Sequence, residues 1–329
     1  MLRWAFTRAL TTLNSPTADL YFANACVDWL TDGRIVRHAP TVFTSASTQL
    51  IIRHDARAGR AARRGRRIYL LDDAIDLRGA DEALSPYWRF KLKVVERAAA
   101  DHYLPGADAV VVSSPALAEM IRERLPDGDI RVLHPYWSEP VSSLGHHAKP
   151  RLTIAYLGSQ THGPDIAPLV PMLARFLDET PEAELVMAGG HEQIGPLASH
   201  GQVRALGPMP WATYRRKLGA LGVHVALYPL NKTPFNAARS LNKLIEHGIA
   251  GAAGLYADNW PGARLAEDAG AGFSLPPDPA AWAAALGGLV ADRDRTHQMA
   301  AAGTALASKI NDGAAQRALW SELLRVDSD

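Results

Sequence analysis

The chain has 329 residues, of which 47% are hydrophobic and 21% are charged, and its formal net charge is +1. This is the composition of a folded globular protein long enough for two domains, and the near-neutral charge argues against a general nucleic-acid-binding protein. Cys26 is the only cysteine, which excludes an intramolecular disulfide and a cysteine-rich metal site. The single cysteine fits a reducing cytoplasm, and no apolar run reaches the ~18 residues of a membrane-spanning helix. We therefore expect a cytoplasmic protein that is soluble or at most peripheral to a membrane.

Short apolar and β-branched runs alternate with longer amphipathic runs along the chain. In the first half, the pattern predicts strands at 20–23, 41–44, 67–71, 109–114 and 130–134, and helices at 86–100 and 115–125. In the second half, it predicts strands at 152–158, 183–189, 203–207, 223–229 and 252–257, helices at 165–179, 211–221 and 240–250, and only helix from residue 279 onwards. This alternation predicts an α/β fold with parallel sheets flanked by helices.

A polar segment rich in Pro, Gly and Ser separates the two α/β sets. We predict a first Rossmann-like domain over 1–140, a linker over 141–150, a second Rossmann-like domain over 151–311 and a helical tail over 312–329. In open sheets of this kind, ligands bind at the carboxyl ends of the strands. The loops that follow the strands are therefore where a site is expected.

The first domain contains five arginines at helical spacing. Their spacing of i, i+4, i+7, i+11 and i+14 predicts one stripe along a helix, formed by Arg53, Arg57, Arg60, Arg64 and Arg67. The stripe is either a solvated face or a peripheral contact, at the inner face of the cell membrane, with anionic lipid head groups or a lipid diphosphate.

Two adjacent carboxylates follow the strand predicted at 67–71. Asp72 and Asp73 stand at its end. Three interpretations are open: the pair forms a capping turn, binds a metal ion, or orients a substrate hydroxyl. No histidine or third acid lies at ligand spacing, so we expect no metal. His102, after the helix predicted at 86–100, is a further candidate for the same edge, although a lone histidine is more often structural.

The loop after the first strand of the second domain carries glycines and a histidine. Gly158 and Gly163 allow close backbone approach, His162 lies between them, and the following helix is expected to begin near Asp165. A phosphate or a sugar could bind there. The simpler interpretation is a strand-to-helix turn in which Asp165 is the N-cap.

The helix predicted at 240–250 has two contrasting faces. Its apolar face is predicted to contain Leu241, Leu244, Ile245 and Gly248, and its opposite, charged face Arg239, Lys243 and Glu246. Because the helix follows the strand at 223–229, its first turn lies at the carboxyl edge of the sheet. There a cation reaches a diphosphate and a carboxylate accepts both hydroxyls of a ribose. A solvated charged face is the alternative.

The run PFNAARSLNKLIEHGIAG (234–251) resembles the donor-site motif of GT-B glycosyltransferases, especially the large retaining family (group 1, family 4 type) that includes bacterial polysaccharide and lipid-carrier enzymes. Similar runs occur in the same order before it, including YLGSQTHGPD and AELVMAGG, and RRIYLLDDAID in the first half. The resemblance implies two Rossmann-like domains facing across a cleft, with a last helix packed back on the first domain.

The family motif has two glutamates separated by seven residues. Glu246 matches the second, which holds the nucleotide ribose, while Ala238 occupies the position of the first, which contacts the sugar; Asn236, Arg239 or Ser240 could replace it. The resemblance therefore suggests His162, Arg239 and Lys243 as catalytic residues, Gly158, Ser159, Asn236, Ser240 and Glu246 as donor-binding residues, and Asp72, Asp73 and His102 as acceptor-side candidates.

The implied activity is retaining transfer of a sugar from a nucleotide-diphosphate sugar to a hydroxyl of a glycan, a lipid-linked or another acceptor. The resemblance places this activity in cell-surface polysaccharide or glycolipid synthesis, with no metal, no cofactor and no nucleic-acid partner. Two alternatives stay open. One is a non-catalytic GT-B-like nucleotide-sugar-binding protein, and the other is a nucleotide-sugar epimerase, which can share the two-domain shape.

Overall fold

The structure is a computed structural model that describes residues 15–54, 65–75, 89–90, 92–158, 162–188 and 195–327. The chain divides into two compact units. Unit 1 comprises Met1–Ser138, Ala238–Ser240 and Asn311–Asp329, and unit 2 comprises Glu139–Ala237 and Leu241–Ile310. The segment 141–150 therefore clusters with unit 2.

Unit 1 combines one sheet with short helices. Its strands are β1 (Val36–Ala39), β2 (Val42–Thr44), β3 (Thr48–Ile52), β4 (Arg66–Leu71), β5 (Ala109–Val112) and β6 (Ile130–Val132). Its α-helices before the linker are α1 (Pro16–Ala18), α2 (Val27–Thr31), α3 (Ala98–Tyr103) and α4 (Pro115–Arg124), with π-helical turns at Asp19–Ala23 and Leu92–Arg97.

The sheet of unit 1 keeps its strands in sequence order, β1-β2-β3-β4-β5-β6. The first two pairs are antiparallel, and β3 to β6 run parallel to one another. The strands predicted at 41–44, 67–71, 109–114 and 130–134 are confirmed, whereas β1 and β3 were not predicted. All five residues of β3 are buried, so this strand lies inside the core.

The strand predicted at 20–23 is wrong, because this segment is the π-helical turn that continues α1. Ser15 caps α1 by accepting a hydrogen bond from the Ala18 N–H at 3.3 Å, and Pro16 occupies the first helical position. A Ser-Pro helix start of this kind outweighs the β propensity of the apolar residues that follow it.

The end of the chain completes the core of unit 1. Helix Gly313–Leu324 buries Trp320, whose ring contacts that of Phe22 edge-on at 5.5 Å and whose Nε1–H donates to the Tyr21 carbonyl at 2.7 Å. Gln316 Nε2 donates to the carbonyls of Leu20 and His134 at 3.1 and 2.9 Å. These contacts join the two chain segments by burial and by paired backbone carbonyls.

Unit 2 is an α/β layer structure with longer helices. Its strands are β7 (Leu152–Leu157), β8 (Ala183–Ala188), β9 (Val203–Leu206), β10 (Val225–Tyr228), β11 (Ala253–Ala257) and β12 (Gly272–Leu275). Its helices are α5 (Gly163–Ile166), α6 (Val170–Glu179), α7 (Trp211–Leu218), α8 (Pro234–Ala237), α9 (Asn242–Ala250), α10 (Pro261–Asp268), α11 (Pro279–Ala291) and α12 (Arg293–Ile310); the C-terminal helix Gly313–Leu324 of unit 1 is α13.

All six strands of the unit 2 sheet are parallel, in the order β12-β11-β10-β7-β8-β9. The predicted strands of the second half are confirmed within the described residues, and so is the helical character from residue 279 onwards. Strand β12 was not predicted, since its four residues carry only a short apolar signal. The alternation of parallel strands with helices confirms the predicted α/β fold.

Among the described residues, no helix has both the length and the apolar character needed to span a bilayer.

Candidate functional site

The strand order of unit 2 reverses at one place. From β7 the chain moves outward through β8 and β9, and then returns to form β10 on the other side of β7. The pair β7 and β10 is in direct register, with Val225 opposite Ile154 and Leu227 opposite Tyr156. Ligands of doubly wound sheets bind at the carboxyl ends of the two strands that flank such a reversal. The residues that follow Leu157 and Tyr228 are therefore the candidates for a site.

Glu246, on α9, is a buried carboxylate with two partners. Its Oε1 accepts a hydrogen bond from the Tyr214 hydroxyl at 2.5 Å, and its Oε2 pairs with the Lys243 ammonium. The same ammonium donates to the carbonyl of Leu157, the last residue of β7. The carboxylate is thus tied to the carboxyl end of a strand at the reversal. The solvated charged face is wrong for this helix, because Glu246 is only 4% exposed.

Tyr214, on α7, is a site residue that the sequence did not single out as a partner of Glu246. Burial, and then the charge of Glu246, raise the pKa of its hydroxyl well above the ordinary value. The hydroxyl therefore stays protonated and donates to the carboxylate. Its ring stacks on Trp211 with centroids 5.9 Å apart, which fixes its direction. No sequence spacing links the two residues, because they are 32 positions apart.

Lys243 retains capacity for a further partner. A lysine ammonium has three donors, and two of them point at Leu157 and Glu246. Its Nζ also lies 6.0 Å from the centroid of the Tyr228 ring, at the end of β10. The cation is therefore held between the ends of the two strands that flank the reversal.

Asp165 joins the loop after β7 to the loop after β10. One of its oxygens accepts hydrogen bonds from the Asn231 N–H at 3.0 Å and from Asn236 Nδ2 at 3.1 Å, and the other lies 3.0 Å from His162 Nδ1. The prediction that Asp165 is an N-cap is wrong, since α5 begins at Gly163 and His162 occupies the cap position. The buried carboxylate instead orients the groups around it, including the His162 ring.

Asn236, on α8, is 1% exposed, and its amide orientation follows from its partners. Its Nδ2 donates to Asp165 and to the Asn231 carbonyl, at 3.1 and 2.9 Å, and both of these are acceptors. The Oδ1 atom must therefore point the other way, and it has no hydrogen-bond partner in the described part of the chain. A buried acceptor without a donor costs about 1–3 kcal/mol, so such an atom calls for a ligand or a water.

Gly158 follows β7, where the backbone leaves no room for a side chain. The Tyr156 hydroxyl donates to the His162 carbonyl at 2.7 Å, and a Cβ added at Gly158 would lie 2.7 Å from the Tyr156 ring. Glycine is therefore needed for the packing of Tyr156, a reason different from ligand approach. Ser159, the next predicted donor-binding residue, lies outside the described residues.

Arg239 and Ser240 do not share the helix of Lys243 and Glu246. Helix α9 begins at Asn242, and the three residues Ala238–Ser240 cluster with unit 1. There the Ser114 hydroxyl donates to the Ala238 carbonyl at 2.6 Å. The predicted common face of Arg239, Lys243 and Glu246 is thus wrong for Arg239.

The arginine stripe of the first domain is also wrong at both of its ends. Arg53 follows β3 with a positive φ of 60°, and Arg67 lies within β4, buried, with its Nε donating to Gln49 Oε1 at 3.3 Å. A strand has no period of 3.6 residues, so these two side chains belong to no helical face. Arg57, Arg60 and Arg64 lie outside the described residues.

Arg53 instead holds a carboxylate cluster at the strand ends of unit 1. It pairs with Asp72 at 3.0 Å, with Asp73 at 3.5 Å and with the buried Glu96. Burial alone would lower the pKa of Arg53, but the carboxylates raise it well above the ordinary value. Burial raises the pKa of Asp72 to about 6 despite the attraction of Arg53, and the Thr17 hydroxyl donates to Asp72 at 2.7 Å.

The acceptor-side candidates are only partly brought together. Asp72 and Asp73 share the Arg53 guanidinium. His102 is an exposed residue of α3 whose ring contacts that of Tyr103 at 4.7 Å. Within the described residues, no group of three or more His, Cys, Asp or Glu side chains is arranged to hold a metal ion.

Comparison with solved structures identifies the architecture. A sucrose-phosphate synthase from Thermosynechococcus elongatus matches with a TM-score of 0.57 and 18% identity, over 81% of this chain and 69% of that one. Anabaena HepE, solved with UDP and glucose, matches with a TM-score of 0.57 and 17% identity, over 80% and 72%. These are glycosyltransferases of the GT-B type. The chain has the GT-B fold.

A third GT-B structure, S. aureus TarM in complex with fondaparinux, alpha-GlcNAc-glycerol and UDP, matches with a TM-score of 0.60 and 9% identity, over 82% of this chain. The chain spans 52% of the length of TarM. No family model and no curated protein matches the sequence.

Proposed function

We propose that this GT-B protein is a glycosyltransferase that moves a sugar from a nucleoside-diphosphate sugar to an acceptor hydroxyl. The donor would bind in unit 2, at the carboxyl ends of β7 and β10. The observation that carries the proposal is the buried Glu246 carboxylate, held by Tyr214 and Lys243 at the reversal of the strand order. Likeness in fold to HepE, solved with UDP and glucose, supports a uridine nucleotide as the first donor to test.

The proposed roles of Glu246 and Lys243 follow from their remaining hydrogen-bonding capacity. Each carboxylate oxygen has a second lone pair, so Glu246 can accept the two ribose hydroxyls while it keeps Tyr214 and Lys243. The third N–H of Lys243 would donate to the diphosphate. Negative charge on the diphosphate grows as the glycosidic bond breaks, so this contact strengthens toward the transition state.

Asn236 is the proposed contact for the sugar. Its Oδ1 is a buried acceptor with a fixed direction, which a sugar hydroxyl would satisfy. This hydroxyl contact would take over the function of the glutamate that the GT-B motif has at the position of Ala238. His162, oriented by Asp165, would assist from the loop after β7.

The reaction is proposed to proceed with retention. The bond between the anomeric carbon and the diphosphate oxygen breaks, a bond from the acceptor oxygen to the same carbon forms, and the hydroxyl proton leaves with the nucleoside diphosphate. Nothing in this scheme needs a covalent intermediate on the protein. Analysis of the anomeric configuration of the product by NMR distinguishes retention from inversion.

The decisive experiment is a calorimetric titration of UDP-sugars into the parent protein and into Glu246→Gln. Loss of a charge-assisted hydrogen bond costs about 1.5–3 kcal/mol, so the affinity should fall roughly ten- to a hundredfold. Glu267→Gln, on α10, is the matched control, because it removes the same charge from an exposed position of unit 2. Equal affinities of Glu246→Gln and the parent for the same donor would refute the site.

A deoxy-sugar series tests Asn236. Removal of the hydroxyl that meets Oδ1 should weaken binding about tenfold in the parent, and this loss should disappear in Asn236→Ala. An equal loss of affinity in the parent and in Asn236→Ala would mean that no sugar hydroxyl contacts Asn236.

Donor turnover separates the proposed activity from the two alternatives. A transferase releases nucleoside diphosphate from the donor in the presence of an acceptor. An epimerase converts the sugar without releasing the nucleotide, and a binding protein does neither. The binding alternative has one observation in its favour, the methyl group of Ala238 where the GT-B motif has a carboxylate.

A further inference from the structure

Three histidines of unit 2 pack against one another at the amino ends of β7 and β10, the sheet edge opposite to the candidate site. His146 and His147 lie in the helical turn Gly145–Ala148, and His224 directly precedes β10. The ring centroid of His147 lies 4.5 Å from that of His146 and 4.8 Å from that of His224, and the third pair is 5.0 Å apart. We call these three residues the histidine cluster.

The turn is fastened to the rest of unit 2 through its two imidazole rings. His146 Nε2 donates to the Val223 carbonyl at 2.7 Å, and His147 Nε2 donates to the Gly251 carbonyl at 2.9 Å. Carbonyl oxygens only accept, so Nε2 carries a proton in both rings. The segment 142–149, which contains the turn, is therefore held against the loops that precede β10 and β11.

His224 holds the same turn from the sheet, and its partners define its protonation. Its Nδ1 accepts the Thr153 N–H at 3.0 Å, so the proton of the neutral ring is on Nε2, which donates to the His146 carbonyl at 3.2 Å. A second proton on this ring would occupy Nδ1 and break the bond to Thr153. The geometry therefore requires His224, which is 1% exposed, to be neutral.

Two left-handed glycines make room for the segment 142–149. Gly222 has a φ of 64° and Gly251 a φ of 75°. A Cβ at Gly251 would lie 2.5 Å from Ser142 Oγ, and one at Gly222 would lie 3.4 Å from His146 Cβ. Leu144 has a φ of 62°, which a leucine keeps only where the surrounding contacts impose it. Release of the segment would relieve this strain.

The surroundings of the cluster are mainly basic. The charged and titratable groups around it are Lys149 of the segment, Arg293 and His297 of α12, Glu182 before β8 and Glu184 on β8. Glu182 attracts Arg293, and Glu184 accepts the Thr153 hydroxyl at 3.0 Å. In the described part of the chain, no carboxylate pairs with a ring of the cluster, so protons taken up there would face other positive charges.

Burial lowers the pKa of all three rings. It lowers the pKa of His147 to about 4 and that of His224 to about 3, and the neighbouring rings and Arg293 act in the same direction. A histidine in solution has a pKa of about 6.5. The held segment therefore binds protons less tightly than the released segment does, so release is favoured as the pH falls from about 6.5 to about 4.

We propose that the segment 142–149 is an acid-released latch on the amino edge of the unit 2 sheet. Neutral histidines hold it in place, and proton uptake by the cluster brings positive charges into contact and releases it. When the segment is held, residues 139–141 connect it to the first part of unit 1, which ends at Ser138. Release lengthens this connection to 139–149, so the latch determines how much free chain joins the two units.

The test is hydrogen exchange of the full chain by mass spectrometry at pH 7, 6 and 5, with each rate divided by the intrinsic rate at that pH. The reporters are the His147 and Lys149 N–H groups, which bond the carbonyls of Leu144 and His146 at 3.0 Å each. A histidine that is neutral when held raises the opening constant about sevenfold between pH 6 and pH 5. His147 and His224 together should therefore lower the protection of the segment at least about fiftyfold.

Helix α6, in the same unit, is the internal control. Its protection should be the same at pH 6 and pH 5. Unchanged protection of the segment 142–149 over this interval would overturn the proposal. A parallel loss of protection in α6 would overturn it as well, because acid would then be unfolding unit 2 as a whole.

Glutamine variants assign the effect to the cluster. His147→Gln retains a donor for the Gly251 carbonyl but does not titrate, so the loss of protection between pH 6 and pH 5 should be about sevenfold smaller than in the parent. His38→Gln, at an exposed position of β1 in unit 1, is the matched control and should show the full loss. A full loss in His147→Gln would refute the role of the cluster.

Carbon-13 NMR of the imidazole rings of the parent gives a measurement that does not depend on how the variants fold. The rings of His146, His147 and His224 should all titrate below pH 6.5, because the held segment resists their protonation. Titration of these rings at or above about pH 6.5 would overturn the proposal.

Discussion

The two units place different groups at the carboxyl ends of their parallel strands. In unit 1, the ends of β3 and β4 carry Arg53 and the carboxylates that surround it, and these groups satisfy one another. In unit 2, the ends of β7 and β10 carry Lys243 and Asn236, which keep a donor and an acceptor for something else.

The strand orders explain part of this difference. Strands β3 to β6 of unit 1 follow one another in sequence, whereas the order of unit 2 reverses between β7 and β10. At a reversal the helices after two adjacent strands lie on opposite faces of the sheet, which opens a crevice between their first turns. A charged residue at the carboxyl edge of a sheet is therefore not enough to indicate a ligand site. The strand order and the partners of that residue have to be known as well.

The largest effect is expected from Arg53→Ala. This change leaves Asp72, Asp73 and Glu96 without their shared cation, and breaking a buried ion pair by removing one partner costs about 3–5 kcal/mol. Urea unfolding measures the loss. Arg151→Ala, which removes a 3.6 Å pair with Glu184 from an arginine that is 57% exposed, should cost at most about 1 kcal/mol. Similar costs for both would mean that the cluster is solvated.

Lys243→Met should come next, at about 2–3 kcal/mol, because Glu246 keeps its Tyr214 hydrogen bond and Lys243 is itself 14% exposed. The double variant Lys243→Met with Glu246→Gln should recover much of the loss, since it removes the uncompensated charge. Additive losses in this double-mutant cycle would contradict the ion pair at the site.

Asp72→Asn is expected to change the pH dependence of unit 1. The pKa of Asp72 is raised from 3.8 to about 6, so the folded state binds its proton more tightly than the unfolded state does. Its contribution to stability is then fully present below about pH 4 and is lost as the pH rises to about 6.

Relative to the parent, Asp72→Asn should therefore gain about 2 kcal/mol of unfolding free energy between pH 4 and pH 7. Urea unfolding at a series of pH values gives this difference directly. If the gain in unfolding free energy decreases with rising pH, the pKa of Asp72 is lowered in the folded protein, contrary to the assignment.

The smallest effects concern two helix caps, one in each unit. Ser114 is buried, accepts the Leu117 N–H at 3.1 Å and donates to the Ala238 carbonyl, whereas Asp278 is exposed and accepts the Ala280 N–H at 3.0 Å. Ser114→Ala should cost about 1–2 kcal/mol and Asp278→Ala about 0.5–1 kcal/mol. Thermal unfolding of both variants under one condition shows which of them loses more stability. An equal or larger loss for Asp278→Ala would contradict the prediction.

The sequence predicted the fold where apolar runs are long and bounded by polar residues. Strands such as β4, β5, β7 and β8 are buried along nearly their whole length and were therefore recognised. The failures at 20–23 and at the arginine stripe share a cause. In each, a local spacing or composition suggested one element, while the cap at Ser15 or the distant partners of Arg53 and Arg67 determined another.

The site was harder to predict than the fold, because its contacts join distant positions. Lys243 and Glu246 are three residues apart, so helical spacing placed them together. Tyr214 reaches Glu246 from 32 residues away, and Asp165 reaches Asn236 from 71 residues away. Neither contact has a local signature. The number of hydrogen bonds that each side chain has already formed is likewise invisible in the sequence.

The packing of α13 on the start of the chain has a consequence for synthesis. Unit 1 needs Trp320 and Gln316 for its core, yet the ribosome makes residues 139–310, which include all of unit 2, before it reaches them. At about 5–20 residues per second, that interval lasts roughly 9–35 s. During this interval, the apolar surface of Phe22 and Tyr21 that Trp320 covers in the folded protein has no partner from α13. We expect the emerging chain to be a client of ribosome-associated chaperones, and translation speed across unit 2 to influence the yield of native protein.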